Sequence, residues 1–332
     1  MARLRTAPRR SASVRAIAVS VLSAVGLAAS MTVAPAAQAT FAGAPGRIAF
    51  VKAGDIYTVR PDGTGTRRLT RTGDNARPAW NASGTRLAFD SARSGNRDVY
   101  VMNADGSRVV QITKRETSEA APSWSPNGSD LAFVSDRTGV YEVYRIPISP
   151  LTHPTQLTVN TEAERGLGWF HTVWTPDGRT IFGNVNFALY SDGADIDLAR
   201  FSAVDGSNLS YFGPPCGCYS LDINPAGTRL AFTDDDPLND AINGFVSNVF
   251  TSNLDASARR PVTHDVHHEG RYDELFNDAP SWSPDGTKIA YGHYDGHGTG
   301  NSPTGVYVVK PDGTRSHLVA AGGSDPAWQP RP

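Results

Sequence analysis

The 332-residue chain has only two cysteines, too few for the disulfide scaffold of a small secreted domain. It has no surplus of positive charge, with 31 basic against 33 acidic side chains, so no cationic stripe for a nucleic-acid backbone is expected. No Gly-x-Ser-x-Gly segment occurs, which removes the nucleophile elbow of an α/β-hydrolase. No Gly-rich loop between a strand and a helix is present to cradle a phosphate. Helical periodicity is not sustained anywhere after the first forty residues. What is abundant is turn chemistry, with 32 Gly and 23 Pro beside ample aromatics, the composition of a folded, turn-rich chain.

Residues 1–39 read as a secretory leader, with residues 40–332 as the mature chain. Arg3, Arg5, Arg9, Arg10 and Arg15 open the segment without a single acid, an apolar stretch runs from Ala16 to about Ala29, and Ala37-Gln38-Ala39 supplies a small-x-small exit. The apolar stretch is shorter than the roughly 20 residues of a spanning helix. No second run of that length follows, so no transmembrane segment is expected after cleavage. Without the leader, 26 basic residues face 33 acidic ones, a net charge of −7. The expectation is a secreted or extracytoplasmic protein that does not bind nucleic acid.

The remainder is a repeat. Pro78-Ala79-Trp80-Asn81-Ala82-Ser83-Gly84 returns as Pro122-Ser123-Trp124-Ser125-Pro126-Asn127-Gly128 and as Pro280-Ser281-Trp282-Ser283-Pro284-Asp285-Gly286. Weaker copies are Val173-Trp174-Thr175-Pro176-Asp177-Gly178 and Ile223-Asn224-Pro225-Ala226-Gly227. Each reads as a strand, a tight turn and a second strand, because Pro presets φ, Asp or Asn caps the turn and Gly accepts positive φ. A second hairpin follows in most copies, as in Asp98-Val99-Tyr100-Val101-Met102, Ala104-Asp105-Gly106 and Gln111-Ile112-Thr113. Two hairpins in tandem make a four-stranded antiparallel unit. Phe50, Phe89, Phe133, Phe182, Phe232 and Tyr291 close the second strands and count six units. The first copy lacks its Pro-x-Trp strand, and Pro326-Ala327-Trp328 supplies one that has no continuation. A ring closed by pairing the two terminal segments explains both halves. Such a ring hides its own edges and is expected to be a monomer.

The Trp-Ser-Pro-Asp-Gly repeat, with Phe133-Val134-Ser135-Asp136-Arg137 and Tyr100-Val101-Met102-Asn103-Ala104-Asp105-Gly106, resembles the WD40-like PD40 repeat of TolB-like six-bladed β-propellers. The resemblance runs over about residues 44–330, with Ile223 standing where other copies have Trp. It implies an all-β propeller of four-stranded blades and an extracytoplasmic home. It leaves function open, because one fold carries many activities.

Trp80, Trp124, Trp174, Trp282 and Trp328 recur at one position and are assigned to the packing between blades. Length variation falls on the face opposite the uniform turns, where irregular loops on a rigid frame serve recognition. Trp169, His171, Asp235, His293 and His297 are the ligand-binding candidates on that face, Trp169 either as an exposed aromatic contact or buried beneath its own loop. His264, His267, His268, His293 and His297, with Asp265 and Asp295 nearby, are the candidates for a divalent metal, since imidazole and carboxylate suit zinc. Asp234-Asp235-Asp236 with Asn239 and Asp240 offers oxygen ligands for calcium but lacks the Gly and Glu of an EF-hand loop. The competing reading of both groups is solvated polar loop, and no cofactor is required by the fold. Cys216 and Cys218 stand either as a local disulfide, strained by its one-residue span, or as two thiols. The leading expectation is a binding or scaffold module for an envelope or extracellular protein, peptide or glycan. The alternative is a metal-dependent carbohydrate-active lyase or hydrolase built on the histidine cluster.

Overall fold

The computed structural model describes residues 42–149, 152–159, 168–186, 196–216, 220–235, 244–266, 273–296 and 302–331. Residues 1–41, His267, His268, His297 and Cys218 lie outside them, as does the side chain of Cys216. Every regular element among the described residues is a strand. None is a helix long and apolar enough to cross a membrane.

The strands follow in groups of four. The first group is β1 (Ala44–Lys52), β2 (Asp55–Val59) and β3 (Arg67–Arg68), to which the chain's last strand is added. Next come β4 (Asn75–Trp80), β5 (Arg86–Ser91), β6 (Asp98–Asn103) and β7 (Val110–Gln111), then β8 (Glu119–Trp124), β9 (Asp130–Ser135), β10 (Glu142–Pro147) and β11 (Thr155–Gln156). The fourth group is β12 (Gly168–Trp174), β13 (Thr180–Asn186), β14 (Ile196–Ser202) and β15 (Ser210–Cys216). The chain continues through β16 (Leu221–Ile223), β17 (Arg229–Asp235), β18 (Gly244–Asn253) and β19 (Arg260–Pro261). It ends with β20 (Asp273–Trp282), β21 (Ile289–Asp295), β22 (Ser302–Val309), β23 (His317–Ala321) and β24 (Ser324–Arg331).

Within each group the pairing is antiparallel, as the repeated Pro-Asp-Gly turns require. β24 pairs with β1, setting Trp328 opposite Ile48 and Ala327 opposite Ala49, so the last strand supplies the inner strand of the first blade. The inner strands β24, β4, β8, β12, β16 and β20 touch in that order, and β20 returns to β24. The fold is a propeller around a central channel.

Sequence reading expects six separate blades, and the strand pairing differs. Four four-stranded sheets stand alone, while β16–β23 form one eight-stranded sheet, because β18 and β20 pair in parallel over Gly244–Ser247 and Asp273–Phe276. The physical reason is visible at the other junctions. A single backbone bond stitches neighbouring sheets where an inner strand begins: Asn75 N donates to Gly54 O at 2.8 Å, Glu119 N to Arg97 O at 2.7 Å and Trp169 N to Tyr141 O at 2.9 Å. β18 and β20 are ten residues long, and the same stitch lengthens there into a ladder.

The core repeats as the sequence does. Trp80, Trp124, Trp174, Trp282 and Trp328 are buried, and Ile223 fills the same place in β16. Aromatic rings of the second and third strands stack in pairs, among them Phe89 on Tyr100 at 5.7 Å and Phe133 on Tyr144 at 5.9 Å. Arg93 and Arg137 lie over these pairs, adding a cation–π contact to each stack. A buried polar motif pins the outer edge of four blades. Thr113 Oγ1 donates to Asp98 at 3.1 Å and accepts the Val99 amide at 2.9 Å. Thr70 with Asp55, Thr158 with Glu142 and Thr263 with Asn248 repeat the arrangement. These pairs satisfy strand ends whose outermost partner is only two residues long.

Candidate functional site

The inner strands are not regular. Pairing of β4 with β5 slips between Ala76 and Ala79, β8 with β9 between Ala120 and Ser123, β12 with β13 between Trp169 and His171, and β20 with β21 between Asp278 and Ser281. Such bulges insert one residue and re-aim its neighbours. Arg77, Ala121, Ala279 and Asp325 take φ near +50° at these places, each three residues ahead of its tryptophan. Arg77, His171, Ser220 and Asp325 line the wall of a central cavity of about 290 Å³. Asp278 and Phe170 line it one residue nearer the loop face, and Asp222 lines it closer to the turns.

The charges in this wall are unevenly paired. Arg77 is bidentate on Asp90, with Nε to Oδ1 at 2.8 Å and Nη2 to Oδ2 at 3.2 Å, and Arg97 binds the same carboxylate. Asp90 is fully buried and also accepts the Ala121 amide at 3.2 Å, so it ties β5 to β8. Asp222 has only backbone donors, Ile223 N at 2.8 Å and Trp282 N at 2.7 Å. Burial pushes its carboxyl up to about 7, against the pull of those two amides. Asp325 is pushed up to about 6, first by burial and then by the charge of Asp278, with Arg77 opposing. Asp278 accepts Ser220 Oγ at 2.5 Å. Burial, with Arg77 adding to it, holds His171 down to about 4, so its ring is neutral. Its Nδ1 is buried and has no hydrogen-bond partner among the described residues.

Of the two places open to Trp169, exposed on its loop or buried beneath it, the structure shows the second. It is not an exposed aromatic contact: it is 2% exposed and packs edge-on against Phe201 at 5.2 Å. The bulge between Trp169 and His171 explains the placement, because Phe170 becomes the unpaired residue and stands 41% exposed in the channel. Of the other ligand candidates, His171 lies in the channel wall. Asp235 ends β17 opposite Ser247, pushed up to about 6 by burial.

The histidine cluster comes together in part. His293 Nδ1 lies 3.0 Å from Asn277 Oδ1 and 3.6 Å from Asp265 Oδ2, and Asn277 Nδ2 donates to that same oxygen at 2.6 Å. Asn277, absent from the sequence reading, is the centre of this group. His264 is exposed and lies instead against the turn at Gly313. Among the described residues no three His, Cys, Asp or Glu side chains are placed to share a metal ion. His267, His268 and His297 fall outside those residues. Asp234, one of the calcium candidates, is paired with Arg259, which lies over Phe232 and Phe250. Asp236, Asn239 and Asp240 are outside the described residues, as is the Cys216–Cys218 pairing.

The channel acids and Phe170 carried a signal in the sequence. They occupy repeat positions where other copies have small residues: Arg77 and Asp325 stand where Ala121 and Ala279 do, and Asp222 where Ser123 and Ser281 do.

Comparison with known proteins agrees on the fold. The TolB beta propeller domain family, PD40, matches residues 63–187. The chain is 46% identical over 50 residues to a "Protein TolB homolog" of Chlorobium luteolum, which is 15% of this chain and 12% of that protein. It is 37% identical over 81 residues to a "Tol-Pal system protein TolB" of Desulfosudis oleivorans, 22% of this chain and 18% of that one. The matches therefore span less than a fifth of those relatives' length. The structure of TolB from Acinetobacter baumannii superposes with a TM-score of 0.66 at 18% identity, covering 86% of this chain and 67% of that one. The fold is that of a TolB-like propeller.

Proposed function

We propose that this TolB-like propeller is an exported binding module that receives a segment of a partner protein at the loop-face mouth of its channel. The observation that carries the reading is Phe170, a large aromatic side chain exposed inside a cavity whose walls are otherwise fixed by buried strands. An exposed aromatic at the centre of a rigid concave site is the usual anchor of a protein contact. The leader-like residues 1–39, and relatives named for the Tol-Pal system, support an extracytoplasmic location and a cell-envelope protein as partner. The six-bladed count belongs to the same proposal: β16–β19 and β20–β23 act as two blades joined by a lengthened stitch. As a monomer the ring has no open seam to cover.

The test is site-specific photo-crosslinking in cells that export the chain. A photoreactive phenylalanine analogue replaces Phe170 in one variant and Asp177, at the turn end of the same strand, in another. Discrete protein adducts from position 170 and none from position 177 support the reading; adducts from neither, or equally from both, overturn it. The enzyme alternative draws on one observation, the approach of His293 to Asp265. A metal site there needs ligands from His267, His268 or His297. Stoichiometric zinc in the purified chain, lost on replacing those three by Ala, is the result that favours it.

A further inference from the structure

We propose that the channel is built to receive a cationic group, the ammonium or guanidinium end of a lysine or arginine side chain carried by the partner segment. This rests on the binding-module reading and narrows it to a ligand chemistry.

Three features of the wall converge on such a group. First, Asp222, Asp278 and Asp325 come from β16, β20 and β24, three consecutive inner strands, so one side of the channel is acidic. None of the three forms an ion pair among the described residues. Arg77, the cation among the residues that line the cavity, is already bidentate on Asp90 and offsets only part of the charge of Asp325. Second, β12 presents a neutral His171 whose Nδ1 is buried without a partner. The neutral ring adds no positive charge that would repel a cation in the channel. Third, Phe170 exposes its ring on β12, where a cation or the apolar stem of a long basic side chain stacks.

Other ligand chemistries fit worse. An anion meets three carboxyl groups that have no ion-pair partner, and a neutral glycan supplies none. A dehydrated metal ion needs several ligands at short range, and the described residues offer no such group. A guanidinium or ammonium supplies several donors and positive charge together, and an arginine stem has the length to reach them past Phe170.

The experiment measures binding of short blocked peptides, Gly-Gly-X-Gly-Gly with X as Arg, Lys or Glu, to the chain of residues 40–332 by NMR titration. The Arg or Lys peptide is expected to bind and the Glu peptide not to. The variant Asp325→Asn weakens the basic peptide about tenfold, and Phe170→Ala about threefold, with each variant's melting curve recorded alongside. Asp278→Asn serves as a second charge deletion if Asp325→Asn fails to fold. Equal binding of the Glu peptide, or basic-peptide affinity unchanged in a folded Asp325→Asn or Asp278→Asn variant, overturns the inference. Adducts at position 170 without charge dependence defeat the cationic assignment alone. Loss of both defeats the binding-module reading.

Discussion

Asp222 makes the channel's electrostatics measurable without any ligand. Its carboxyl is raised from 3.8 to about 7 by burial. A carboxyl with a raised folded value takes up a proton on folding, so its contribution is favourable below about pH 4 and is lost as pH rises through about 7. The full rise corresponds to about 4 kcal/mol. Because the group borders a channel open to water, about 2 kcal/mol between about pH 5 and pH 8 is the reasonable share. Asp222→Asn keeps the shape and removes the titration. Near pH 5 the neutral acid and the amide each face Ile223 N and Trp282 N with one poor partner, so the two proteins differ by no more than about 1 kcal/mol. Near pH 8 the variant is the more stable by about 2 kcal/mol. Urea unfolding of both proteins at the two pH values reads the difference, and Asp325 cancels in the comparison. A gap between variant and parent that is the same at both pH values refutes the argument, since Asp222 then titrates as an ordinary carboxyl.

Other perturbations test the frame. Asp90→Asn strips two arginines of their shared counter-ion and is expected to cost about 2–3 kcal/mol, read by chemical denaturation. Thr113→Val removes the hydroxyl between Asp98 and the Val99 amide; a loss of about 1–2 kcal/mol should accompany faster hydrogen exchange at Val99. At Gly54, φ is +72° and an added Cβ would lie 1.8 Å from the Gly73 carbonyl oxygen, so Gly54→Ala must move the stitch to Asn75. A melting temperature lowered by several degrees is expected there.

Much of this architecture was readable because the repeat writes the turn chemistry and the buried tryptophan side by side in each copy. Trp124 sits where a strand, a Pro-Asn-Gly turn and a spacing of 44 residues from Trp80 all require a core residue, and it is buried. The closure by β24 followed from two incomplete copies at the ends of the array. The site was less legible, for a local reason. A bulge changes which side of a strand a residue faces without altering the sequence period, so Trp169 and Phe170 exchange roles. The histidines were chosen by composition, but contact between loops depends on the strands that carry them. His293 meets Asp265 through Asn277 on β20, a residue outside the His and Asp pattern that marks the loops.

The pairing of Ile48 with Trp328 also sets a timetable. About 280 residues separate the two, and closing a loop of that length costs about 5 kcal/mol of chain entropy before any contact returns it. During synthesis β1 waits for a neighbour that emerges after all the other described strands. Every earlier blade can form while the first is still incomplete. A chain whose ring is latched by β24 stays open until β24 has been made. Removal of the final strand would leave β1 and β4 facing a gap, and the product would be sticky at that seam long before it melted elsewhere.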